Sequence, residues 1–195
     1  MIGLNRRRVM GGKKLPYDAE IEYLESTGTQ WIDTGIDTNP FNVGFATKIY
    51  YPKPNGEGAI LGNNGGHIFE LYVISNRIGL FNDRLSIIFD NMVVDTIHII
   101  EGTMSTEEGS LTVDGENKKK VNTTYSRTAR LTLFRHNSSY YYIGRLYYMR
   151  INIGGKLVRD FIPVRIGTTG YMYDRVSKQL FGNNGTGDFI LGADK

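Results

Sequence analysis

"GRLYYMRINIGGKLVRDFIP", Gly144 to Pro163, reads as two strands and the turn between them. Leu146, Tyr148, Arg150 and Asn152 alternate with Tyr147, Met149, Ile151 and Ile153, the period of two that sends successive side chains to opposite faces of a strand. Gly154-Gly155 then supplies a two-residue turn, because both central positions of the favoured tight hairpin need φ above zero. "SLTVDGENK" repeats the pattern around Asp114-Gly115. Elsewhere, short runs rich in Ile, Val, Tyr and Phe are punctuated by Asn, Asp and Gly, as in Gly44–Tyr51, Ile68–Ile74, Thr96–Ile100 and Leu131–Phe134. Only Ser105–Glu108 and Asp174–Lys178 could hold a helical turn. Without crossover helices a parallel α/β fold is excluded. Many short, evenly spaced strands predict an all-β sandwich or jelly roll.

The 195 residues suit one domain with a short appendage. There is no cysteine, which excludes disulfides, thiolate zinc sites and a cysteine nucleophile. No run approaches the ~20 apolar residues of a membrane span, and no apolar segment follows the basic start as in a secretion signal, so no membrane insertion is expected. The net charge of +3 is uneven: residues 1–17 carry Arg6, Arg7, Arg8, Lys13 and Lys14 and no acid, which leaves −2 on the remainder. Residues 1–16 are therefore read as a basic arm and 17–195 as the folded body. A basic run is either a solvated tail or a peg that docks on an acidic partner or nucleic acid. The peg reading makes Arg6, Arg7, Arg8, Lys13 and Lys14 anchoring residues. The body lacks the basic face that nucleic-acid binding would need.

The tetrapeptide Gly-Asn-Asn-Gly occurs twice, at Gly62–Gly65 and Gly182–Gly185. Two copies with weakly matching flanks make no solenoid, and neither carries the Lys-Ser/Thr of a phosphate loop. Both are read as bends, with Asn63 and Asn64 retained as ligand candidates.

Catalytic signals are weak. Glu20, Glu22 and Glu25 in "EIEYLE" imitate the carboxylate pair of retaining glycosidases, which must flank a sugar bond about 5–5.5 Å apart. They fit better on the solvent side of an edge strand, so no catalytic residue is assigned. His67, His98 and His136 are scattered without ligand spacing. No cofactor is expected. Calcium is the one ion the loops could hold, through oxygens of Asp33, Asp83, Asp90, Asp114, Asp174, Asp188, Asn63, Asn64 and Asn82, although turn-forming hydrogen bonds account for most of these. "HNSSYYYIGRLYY" supplies parts suited to sugar recognition: rings that cover sugar faces and polar groups for hydroxyls. Asn137, Tyr140, Tyr142 and Tyr147 are the candidates there, although alternate tyrosines of a strand face the core.

Two stretches carry a family resemblance. "IEYLESTGTQWIDTGI" (Ile21–Ile36) resembles the opening, and "GRLYYMRINIGGKLVRDFIPVRIGTTGYMYDRVSKQLFGNNGTGDFILG" (Gly144–Gly192) the close, of laminin-G-like, concanavalin A-like domains of gut bacterial and bacteriophage proteins. The arm is similar to the start of Bacteroides phage or prophage proteins. The resemblance implies a jelly-roll sandwich of two antiparallel sheets that binds glycans or proteins, in some members through calcium. It also implies a virion surface, fibre or tail-associated protein that binds host-surface carbohydrate non-covalently. The arm would hold it to other virion proteins, in a homo-oligomer, with the bacterial cytoplasm as its place before assembly. A capsid or fibre decoration protein without a glycan site is the alternative, and a glycoside hydrolase comes last.

Overall fold

A computed structural model of the chain describes residues 9–10, 13–38, 42–52, 57–64, 69–82, 85–121 and 128–195. Two sheets face each other. The smaller runs, in spatial order, Leu85–Phe89, Arg77–Asn82, Glu70–Ile74, Glu57–Asn64, Ala129–Leu133 and Ile32–Thr38. The larger runs Glu116–Val121, Glu108–Val113, Thr96–Met104, Val43–Tyr51, Gly144–Ile153, Lys156–Ile166, Thr169–Asp174 and Gln179–Phe181. Leu24–Ser26 joins it beside Gly144–Ile153, flanked in turn by Ile190–Leu191. Among the described residues, all strand pairs are antiparallel except one bridge between Tyr141 and Ala59. Among the described residues there is no helix, hence none long and apolar enough to cross a membrane.

Alternation builds the core. Val43–Tyr51 buries every second residue, and its Phe45 and Ile49 meet Leu71, Leu80, Leu131 and Leu133 of the opposite sheet in one cluster. A second, smaller cluster of Tyr17, Ile162, Val164 and Tyr173 covers the other side of the larger sheet, with Leu15 packed on it.

Gly144–Ile153 departs from strict alternation. Leu146 is buried on the same side as Met149 and Ile151, while Tyr147 and Tyr148 are both half-buried. A bulge between Leu146 and Tyr148, opposite Val43–Tyr51, inserts one residue and shifts the phase. Thr47 fills it, its hydroxyl donating to the Tyr148 carbonyl at 2.7 Å. The two predicted turns form as read, with positive φ at Asp114 and Gly115 and at Gly154 and Gly155.

The first Gly-Asn-Asn-Gly is not a bend up to Asn64. Gly62, Asn63 and Asn64 belong to the strand Glu57–Asn64 and pair with Thr132, Leu131 and Arg130. Gly62 is there because a Cβ would come within 2.6 Å of the Arg135 carbonyl. Asn63 is fully buried and accepts the Phe69 N–H at 2.9 Å, which places it in the interior, away from any ligand. The second copy is a bend, and it is a staple: Asn183 accepts from the Trp31 N–H and Asn184 from the Asp33 N–H, at 3.1 and 3.0 Å. Val9–Met10 and Lys13–Lys14 pair as a separate two-stranded sheet. Arg6, Arg7 and Arg8 lie outside the described residues.

Candidate functional site

The outer face of the smaller sheet carries a short hairpin, Arg135–His136 paired with Tyr140–Tyr141. It drops onto Glu57–Asn64 at two glycines: at Gly58 a Cβ would meet the Tyr141 carbonyl at 2.5 Å, as at Gly62 it would meet that of Arg135. Beneath the hairpin, Thr132 donates to the Arg135 carbonyl at 2.6 Å, and fully buried His136 contacts Glu70 Oε1 through Nε2 at 2.8 Å. Leaving a buried group of this kind without its partner costs about 1–3 kcal/mol, so the hairpin is pinned rather than loose.

Pinning the hairpin fixes Arg135. Its guanidinium lies 3.4 Å from the centre of the Trp31 ring and 6.0 Å from that of Tyr141. The residue is only 8% exposed, yet its Nε is sealed from water with no hydrogen-bond acceptor. Desolvated stacking on an indole is worth about 2 kcal/mol, comparable to the ~1–3 kcal/mol lost at an unmatched buried donor. The stack therefore holds the side chain in place without neutralising it. Outward side chains of Ile32–Thr38 extend the surface from Trp31 to Asp33, where Arg130 donates to Asp33 at 2.8 Å and to Asp37 at 3.1 Å. A cleft of ≈ 310 Å³ opens there, lined by Asp33, Gly35, Arg130, Phe181 and Asn184.

The sequence candidates divide between this region and elsewhere. Asn137 and Tyr140 sit on the hairpin, Asn137 with φ of 54° and Tyr140 stacked on His136 at 6.0 Å. Tyr142 is 1% exposed and donates its hydroxyl to the Tyr50 carbonyl at 2.6 Å, so its ring belongs to the core and is closed to ligand. Tyr147 lies on the larger sheet, edge-on to Tyr23 at 5.6 Å, with Lys48 Nζ 4.9 Å over its ring. On that face Arg145 stacks between Tyr23 and Tyr50 and pairs with Glu25 at 2.7 Å. Burial and neighbouring acids raise the Tyr147 phenol, and Arg145 opposes them. Its rings and charges are already matched to one another, unlike those around Arg135. A wider cleft of ≈ 510 Å³ at the end of the larger sheet is lined by Asn42, Thr103, Ser105, Asn152 and the Gly154-Gly155 turn, with no aromatic ring.

The remaining candidates are structural. Glu25 is held by Arg145, and Glu20 accepts from Tyr17 at 3.1 Å. His98 lies between Asp114, at 2.6 Å, and the Val93 carbonyl, at 2.8 Å; His67 is outside the described residues. Asp33, Asp90 and Asp114 face Arg130, Arg77 and His98. Asp83 lies outside the described residues. Among the described residues no three acidic or histidine side chains come together to hold a metal.

Neither a family model nor a curated protein matches the sequence. Solved structures share its architecture. A candidate carbohydrate-binding protein from Bacteroides ovatus superposes with a TM-score of 0.63 at 9% identity, over 90% of this chain and 61% of that one. Domains LG4-5 of the mouse laminin α1 chain superpose with a TM-score of 0.54 at 13% identity, over 75% of this chain and 46% of theirs. This chain thus spans less than two thirds of either protein's length. At such identities the likeness is one of fold, and the body of this chain is a laminin-G-like, concanavalin A-like jelly-roll sandwich of two antiparallel sheets.

Proposed function

We propose that this protein binds carbohydrate non-covalently, on the outer face of the smaller sheet where the Arg135–Tyr141 hairpin meets Trp31. The observation that carries the reading is the guanidinium platform, Arg135 against Trp31 and near Tyr141, on the sheet whose Asp33 and Arg130 line a separate shallow cleft. Flat apolar surface for a sugar face beside a few fixed polar groups is what such recognition requires. Asn137 and Tyr140 lie on the same hairpin, Tyr140 stacked on His136. The Bacteroides ovatus protein of the same fold, itself a candidate carbohydrate binder, supports the reading. Screening the full chain on a glycan array tests it: binding to a host polysaccharide is expected, and Trp31→Ala weakens it at least tenfold, in a variant that loses the stack but still melts cooperatively. An array with no bound glycan would sink the proposal.

In the same proposal the protein is a surface, fibre or tail component of a phage particle, with Lys13, Lys14 and the arginines before them anchoring it to other virion proteins. The support is the +5 charge of residues 1–17 set against a −2 body, and the resemblance of the arm to phage sequences.

A further inference from the structure

Every described arginine but one has a carboxylate. Arg77 pairs with Asp90, Arg130 with Asp33 and Asp37, Arg145 with Glu25, Arg159 with Asp174, Arg165 with Asp194, and Arg150 and Arg175 with Asp160. Arg135 is the exception among the described residues, and it is also nine-tenths buried. Its Nε is sealed without an acceptor, and no hydrogen bond engages the terminal nitrogens, which reach the surface beside Trp31 and Tyr141. The carboxylates nearest along the sheet are already taken, Asp33 and Asp37 by Arg130 and Glu70 by His136. An arginine fork held flat against an indole is set up for an oxyanion, because its N–H groups match two oxygens of one carboxylate or sulfate.

Resting on the reading of this face as a glycan site, we infer that its ligand is an acidic glycan, whose uronate carboxylate or sulfate ester is bound by Arg135. Burial of the side chain makes the interaction selective. Stacking satisfies the face of the guanidinium but none of its N–H groups; the hydroxyls of a neutral sugar accept from them singly, whereas an anionic group takes two at once in charge-assisted bonds of roughly twice the strength. A lysine in its place keeps the charge but loses both the plane that stacks on Trp31 and the paired donors.

The test uses Trp31, the one tryptophan of the chain, as its reporter, because its ring touches Arg135. The full chain is titrated with oligogalacturonate and with the same oligomer methyl-esterified, and with dextran sulfate and unmodified dextran, while Trp31 emission is followed. The expected result is a saturable change in emission with one acidic member, at least tenfold weaker with its neutral counterpart and weakened further by added salt. Which acidic member binds separates carboxylate from sulfate. Arg135→Gln removes the preference for the acidic form, and Arg135→Lys restores only part of it. Equal affinity for the acidic and neutral members in the unmodified protein overturns the inference and leaves glycan binding standing. That comparison needs no variant, so it holds even if substitution at Arg135 disturbs folding. No response to any of the four, together with an empty glycan array, overturns both.

Discussion

Asp174 shows how much one side chain of the closing segment "YDRVSKQLFGN" does. It is completely buried, and its carboxylate accepts N–H groups of Asp160 at 2.8 Å, Val176 at 3.0 Å and Ser177 at 3.0 Å, with Arg159 at 3.7 Å. Burial by itself pushes the carboxyl up. The hydrogen bonds from Asp160, Ser177 and Val176 outweigh it and hold the group below its ordinary value. A folded-state pKa below the unfolded one contributes stability above about pH 4, the unfolded carboxylate range, and loses it as pH falls through the depressed value. Asp174→Asn is therefore expected to cost about 1–3 kcal/mol at pH 7, the scale of bonds to a charged acceptor. The difference from the unmodified protein shrinks as pH is lowered from 5 towards 3. Thermal melts of both proteins across that range check it; a gap that stays constant would contradict the assignment.

At the scale of elements, the hairpin over the smaller sheet depends on two glycines that no turn requires. Gly62 lacks a positive φ and serves to let the Arg135 backbone approach. Gly62→Ala is expected to destabilise the fold by about 1–3 kcal/mol, the usual cost of forcing atoms into a packed contact. It also lifts Arg135 from Trp31, which a shift in Trp31 emission and weaker glycan binding register together. This is where the sequence misleads and where it serves. Asn-Gly next to Gly reads as a bend by local propensity, and only the strand pairing of Asn63 with Leu131 shows that the glycine answers a neighbour distant in the chain. The two strands and the Gly154-Gly155 turn are legible because alternation and turn chemistry are local. The bulge at Tyr147–Tyr148 is not, since it exists only against Val43–Tyr51. Likewise Asn137 and Tyr140 are visible in "HNSSY", whereas Arg135 and Trp31 meet only because the hairpin folds across to Ile32–Thr38. The singularity of Trp31 was the signal available for the site, and an isolated tryptophan is equally at home in a core.

For the whole molecule, charge sets the basic start of the chain against an acidic remainder. The main core draws on both sheets, from Ile21 to Phe189, without a disulfide. Among the described side chains, Leu15 and Tyr17 come first in packing onto that body, against Ile162, Val164 and Tyr173. The pairing of Val9–Met10 with Lys13–Lys14 forms a sheet of its own, hydrogen-bonded to neither large sheet. Removing residues 1–14 should therefore leave chemical denaturation of the body unchanged to within about 0.5 kcal/mol, the range of changes away from packed features. A cut one residue further would begin to strip the Leu15 contact and lower stability. If the arm is the anchor, the same truncation abolishes incorporation into the particle while glycan binding by the body persists, because the platform at Arg135 draws on no residue before Trp31. Incorporation that survives the truncation would leave the basic run as a solvated tail, and a drop in denaturation midpoint would make it part of the fold.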